Sequence, residues 1–115
     1  MGGHSLGGTA ASMVDGPRVA GLLLWASYPA DDQSGRDVPT LSVSGDRDGL
    51  ATPDDISATA ARLPAGARSV VVTGGVHAFF GDYGEQPGDG VAGVDRASAQ
   101  RQTVEASRGF VDAIR

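Results

Sequence analysis

The chain has 115 residues, no cysteine and a net charge of −5, which bounds it to one small domain and excludes disulfides, thiolate catalysis and Cys-ligated zinc. The acidic balance leaves no basic patch for nucleic acid and no polybasic membrane anchor. The longest apolar run, "VAGLLLWA", stops at eight residues, well short of a membrane span. Leu, Ile, Val and Phe number 24, a share close to that at which chains stop folding, so the expected core is thin.

The chain begins "MGGHSLGG", with Gly-His-Ser-Leu-Gly at residues 3–7. "SLGGTAASMVDG" follows as a predicted helix, with Leu6, Ala10, Met13 and Val14 on one stripe and a stop at Gly16-Pro17. "VAGLLLWAS" (19–27) reads as a strand buried on both faces, suited to the middle of a parallel sheet. "SYPADDQSGRDVP" is a polar loop, and "TLSVSG" (40–45) is a second strand. Thr52 suits a helix N-cap, Pro53 the first turn, and Asp54 and Asp55 the positive helix end. "ARSVVVTG" (67–74) is a third strand. Residues 74–94 form a long glycine-rich loop, and 95–115 form a last helix with Ala99, Thr103, Ala106, Phe110 and Ala113 on one stripe. There is no internal repeat. The alternation predicts an α/β fold with a three-stranded parallel sheet flanked by helices.

The Gly-x-Ser-x-Gly pattern suits a sharp strand-to-helix turn that lifts Ser5 to the C-terminal edge of a sheet. The Leu6 N–H would then face the charge that develops on an oxyanion. A serine hydroxyl needs a base. Of the two histidines, His4 adjoins Ser5 and is expected to point away from the hydroxyl, whereas His77 follows the third strand, at the edge where parallel sheets collect their sites. A carboxylate must orient that histidine, and the second strand leads into both Asp46 and Asp48. Asp46, directly after Gly45, suits a turn; Asp48 lies further out, within reach of a neighbouring loop. The acidic loop "GDYGEQPGDG" offers Asp82, Glu85 and Asp89, but not at the spacing of a calcium loop. We expect no metal there, and no cofactor.

These motifs resemble the α/β-hydrolase superfamily, and specifically its C-terminal half. "GGHSLGG" is similar to the nucleophile elbow, "GLLLWASYPA" to the sixth strand, "VPTLSVSGDRDGLATP" to the seventh with its acid loop, and "SVVVTGGVHAFFGDYG" to the eighth with its histidine loop. The phrases "LWASYPA", "SGDRDGLATP" and "GGVHAFFGDYGEQPGDG" are most similar to a bacterial group described as α/β-hydrolase fold-5. The resemblance covers nearly the whole chain. It implies a partial α/β-hydrolase fold with strands equivalent to six to eight. It also implies a triad of Ser5, Asp48 and His77, and an acyl substrate, with the Leu6 N–H as oxyanion donor. Lid insertions in this superfamily follow the sixth strand. Here residues 27–38 suffice for a crossover but not for a lid, so an open site with Tyr28 near its rim is expected.

The resemblance also implies what is missing: strands one to five, and the loop that supplies a second oxyanion donor. The two residues before Gly3 span only about 7 Å of strand, too little to hold Ser5 in a strained position. Met1 therefore reads as an internal residue of a longer protein or as the start of a fragment. The chain by itself is expected to show little or no esterase activity and marginal stability. The competing reading is non-enzymatic: an inactive fragment or split-protein half that pairs with another chain through the bare edge of strand 19–27. No targeting pattern marks a compartment, and a cytoplasmic location is the default.

Overall fold

The computed structural model describes residues 1–81 and 83–114. Its sheet has four parallel strands, β1 (Gly2–His4), β2 (Leu22–Trp25), β3 (Thr40–Gly45) and β4 (Arg68–Val72), in the order β1-β2-β3-β4. Three helices accompany it: α1 (Leu6–Ser12), α2 (Pro53–Thr59) and α3 (Arg96–Ile114). Short 3-10 segments cover Ala60–Arg62 and His77–Phe80. Among the described residues no helix is long and apolar enough to cross a membrane.

The fourth strand corrects the expected three. Gly2, Gly3 and His4 pair in register with Leu23, Leu24 and Trp25. A Gly-Gly-His run has no strand propensity of its own; the apolar neighbour β2 supplies the template. β1 therefore covers the edge of β2 that was expected to be bare, and the unpaired edges of the sheet belong to β1 and β4. β2 is flanked on both sides, as an interior strand should be, but it is not buried on both faces. Leu22 and Leu24 are fully buried, whereas Leu23 and Trp25 are half-buried, with the Trp25 indole N–H donating to Ser107 Oγ of α3 at 3.0 Å.

β3 is buried along its whole length. Its Leu41 and Val43 join Ala26, Ala51, Val72, Phe80, Ala99 and Phe110 in the core. α2 starts with a capping box: the Thr52 hydroxyl accepts from the Asp55 N–H, and the Asp55 carboxylate accepts from the Thr52 N–H. Such a cap typically stabilises a helix by about 1 kcal/mol. α3 buries Ala99, Thr103, Ser107 and Phe110; Ala113 of the expected stripe is exposed, and Arg115 lies outside the described residues.

α1 differs most from expectation. It ends at Ser12, and the stripe of Leu6, Ala10, Met13 and Val14 faces outward, with Leu6 84% exposed. The buried face is Gly8, Ala11 and Ser12. Small residues win because α1 lies directly against β1 and β2: a Cβ on Gly8 would fall 2.0 Å from Ser27 Oγ. Arg36, from the β2–β3 connection, closes the other end of this helix by donating to the Ser12 and Val14 carbonyls at 2.7 and 2.9 Å, where the helix dipole favours a cation.

Candidate active site

All four strands run the same way, so the segments leaving their C-terminal ends share one edge. Ser5 follows β1 directly, Asp48 lies three residues past β3, and His77 five past β4. Ser5 makes the turn. Its N–H donates to the Trp25 carbonyl at 3.0 Å, continuing the sheet, while its carbonyl accepts from the Thr9 N–H at 3.1 Å, opening α1. This double duty sets φ at 54° and ψ at −125°, a sparsely populated region that costs on the order of 1–3 kcal/mol. The three residues of β1 therefore suffice to hold Ser5 in a strained turn, contrary to the expectation from its short run-up.

Ser5 stands at the N-cap of α1, yet its hydroxyl does not cap the helix. It meets His77 Nε2 at 3.0 Å. On the other side of that ring, His77 Nδ1 lies 2.8 Å from Asp48 Oδ2. An ionised carboxylate only accepts, so Nδ1 carries the proton and Nε2 is left to accept from the serine O–H. Asp48 and His77 are 3% and 4% exposed, and the remaining Asp48 oxygen accepts from the Leu50 and Ala51 N–H groups, both at 2.8 Å. Three donors on a buried carboxylate hold it in place. The structure thus separates the two aspartates of the acid loop. Asp46 stays outside and exposed, accepting from the Gly74 N–H at 2.7 Å.

Leu6 is the first residue of α1, so its N–H is one of the helix's orphan donors. A cleft of about 350 Å³ opens at this end, bounded by Ser5, Leu6, Tyr28, Leu50, Ala51 and His77. Thr9 and Ala26 line it as well. The connection from Ala26 to Pro39 carries no helix or strand among the described residues.

Two residues at the site had other readings in the sequence. His4 leaves β1 toward His77, with ring centroids 4.7 Å apart, and its Nδ1 lies 3.4 Å from the Tyr83 hydroxyl. Burial, and next the positive charge that His77 can carry, hold the His4 imidazole below its ordinary pKa. Asp89 had been weighed as a metal ligand. Its two oxygens are instead turned to backbone N–H groups of Gly49, His77, Ala78 and Gly90. Asp82, from the same acidic loop, lies outside the described residues.

A comparison with protein families matches residues 1–102 to the model of the alpha/beta hydrolase family. No curated protein matches the chain.

Proposed function

The chain belongs to the alpha/beta hydrolase family, which carries a general hydrolase function, and on that premise we propose that it is a serine hydrolase of carboxylic esters or related acyl compounds, with Ser5, His77 and Asp48 as the catalytic triad. One observation carries this reading: the buried line Asp48–His77–Ser5, at 2.8 and 3.0 Å, ends on a serine in a strained strand-to-helix turn.

Ser5 Oγ attacks the substrate carbonyl carbon as His77 Nε2 takes the hydroxyl proton, and the carbonyl π pair moves to its oxygen. The Leu6 N–H donates to that oxyanion. Collapse re-forms the carbonyl and breaks the bond to the leaving group, which departs with the proton from His77. A water molecule then repeats the sequence on the acyl-serine, releasing the acid and free Ser5. Asp48 keeps the proton on Nδ1 and stabilises the imidazolium throughout. The apolar walls from Leu6, Ala26, Ala30, Leu50 and Ala51 suit an acyl chain. Esters and thioesters fit this site, amides also, and an alcohol in place of water would make the same site an acyltransferase. With one N–H assigned to the oxyanion, turnover is expected to be about 10²–10³-fold below that of a two-donor site.

The test is labelling by a fluorophosphonate probe together with turnover of p-nitrophenyl acetate. The wild-type chain should gain one phosphonyl adduct, located by mass spectrometry at Ser5, and Ser5→Ala should lose both adduct and turnover. An adduct elsewhere, or ester turnover that survives Ser5→Ala, would overturn the assignment.

A second reading, association with another chain, is favoured by the unpaired outer edge of β1 beside an apolar cleft of Gly2, Gly3, His4, Leu23, Trp25 and Phe80. Open strand edges pair readily. Light scattering across a concentration series would show a mass above that of the monomer if this edge is used, and a constant monomer mass would end the reading for self-association.

A further inference from the structure

The acid and the base of the proposed triad come from two loops that share no secondary structure. The Asp48 loop leaves β3, and the His77 loop leaves β4. A third segment lies across both. Asp89 Oδ1 accepts from the Gly49 N–H at 3.2 Å, the His77 N–H at 3.0 Å and the Gly90 N–H at 2.8 Å, and Oδ2 accepts from the Ala78 N–H at 3.0 Å. The Gly90 bond is a local turn contact within the segment. The other three reach out of it, one to the residue after Asp48 and two to His77 and its neighbour. An aspartate that only shaped its own turn would make the first bond and none of the others.

The glycines show that the placement is close. A Cβ on Gly90 would fall 1.8 Å from the Arg47 carbonyl oxygen, and one on Gly49 would fall 2.4 Å from that of Gly88. Backbone therefore lies on backbone where the two loops meet, with no side chain between them. Partial burial of the Asp89 carboxyl acts to raise its pKa, yet the N–H donors of Ala78, His77, Gly49 and Gly90 together outweigh it and hold the group below the ordinary carboxylate value. The ionised form is the one the site is built around.

We propose that Asp89 is a positioning residue: by tying the backbone of the Asp48 loop to the backbone of His77, it sets the distance across which Asp48 and His77 meet. It touches no reacting atom and acts through the base. The inference rests on the triad reading for its catalytic consequence, but not for its structural one. A shift of about 1 Å in a supporting group can cost about 100-fold in rate, and the segment that bears Asp89 is rich in glycine, so nothing in its own propensity would hold it in place.

The experiment compares the full chain with Asp89→Asn and Asp89→Ala by two measurements. The first is amide hydrogen exchange at Gly49, His77 and Ala78, with Ser42 and Val43 of β3 as internal reference. In Asp89→Asn we expect exchange at the three loop amides to quicken by about tenfold or more while the β3 amides stay protected. Asn keeps the shape with one weaker acceptor, so it guards against a variant that fails to fold. The second is the rate of fluorophosphonate labelling as a function of probe concentration. The saturating rate should fall by about 10- to 100-fold while the probe concentration for half-saturation stays unchanged, because Asp89 is not among the residues that line the Ser5 cleft. A merely destabilised chain would instead quicken exchange in β3 as well. Unchanged loop exchange in both variants, or exchange quickened equally in β3, would overturn the proposal. A wild-type chain that takes no label at Ser5 would sink the triad reading and leave the exchange result to decide the tie between the loops.

Discussion

Gly7 and Gly8 are neighbours on α1 with opposite requirements. The Gly-x-Ser-x-Gly pattern suggests that its two glycines let backbone come close, and for Gly3 this holds: a Cβ there would fall 2.5 Å from the carbonyl carbon and oxygen of Gly7. Gly7 itself has open space where a Cβ would go and is exposed. The second close approach belongs to Gly8, outside the pattern, where a Cβ would meet Ser27 Oγ at 2.0 Å and the Gly3 carbonyl oxygen at 2.8 Å. Gly7→Ala should therefore stabilise the protein by up to about 1 kcal/mol through helix propensity. Gly8→Ala should destabilise it by about 1–3 kcal/mol through overpacking. Urea denaturation of the two variants checks this, and equal losses in both would show that α1 is not seated on the sheet through Gly8.

At the scale of elements, what could be read from the sequence divides by the range of the signal. β3 falls at Thr40–Gly45, the run "TLSVSG" that reads as a strand, and α2 begins at the Thr52-Pro53 cap, because both signals are local. Ser5 and His77 drew notice because each follows a strand in the sequence, whereas the preference for Asp48 over Asp46 came from the family resemblance as much as from spacing. β1 itself was not legible, since its conformation comes from pairing with Leu23–Trp25 and not from Gly-Gly-His. The buried face of α1 was missed because hydropathy ranks Gly8 and Ser12 below Leu6 and Met13, while the packing distance admits only small side chains. The partners of Asp89 were not legible for a related reason: they lie 40, 12 and 11 residues away, and no local pattern carries them. One weak point was legible and remains. Gly109 lies in the interior of α3, exposed, with no atom within 4 Å of a would-be Cβ. Gly109→Ala should raise stability by about 1 kcal/mol, or several degrees in thermal midpoint for a domain of this size. A midpoint that falls in a calorimetric scan would mean that α3 does not continue as a helix through residue 109.

The whole molecule is as compact as a domain of its length should be, with a Cα radius of gyration of 13.3 Å, against about 13 Å expected from the scaling of folded chains. Its core is nevertheless made largely of alanine, valine and leucine, so groups that titrate at the site weigh on total stability. Two of them act in the same direction. Unfolded, His4 takes up its proton near the ordinary value of 6.5; folded, it does so only at lower pH, first because of burial and then because of the charge on His77. Between those two values the unfolded chain binds more protons than the folded one, so this contribution is full above pH 6.5 and is lost as the pH falls through the folded value. Asp89, held below its ordinary 3.8 despite partial burial, adds a second loss of the same sign lower down, full above 3.8 and disappearing beneath it. Acid should therefore weaken the fold in two separate stages, the first beginning below pH 6.5 and the second below 3.8. His4→Phe isolates that stage: it keeps a ring beside His77, Phe80 and Tyr83 but has no proton to gain. The slope of unfolding free energy against pH between about 7 and 5 should be shallower in His4→Phe than in the wild-type chain, measured by urea titrations at fixed pH. Parallel slopes would mean that His4 gains its proton as readily in the folded chain as in the unfolded one, and that the first stage has another source.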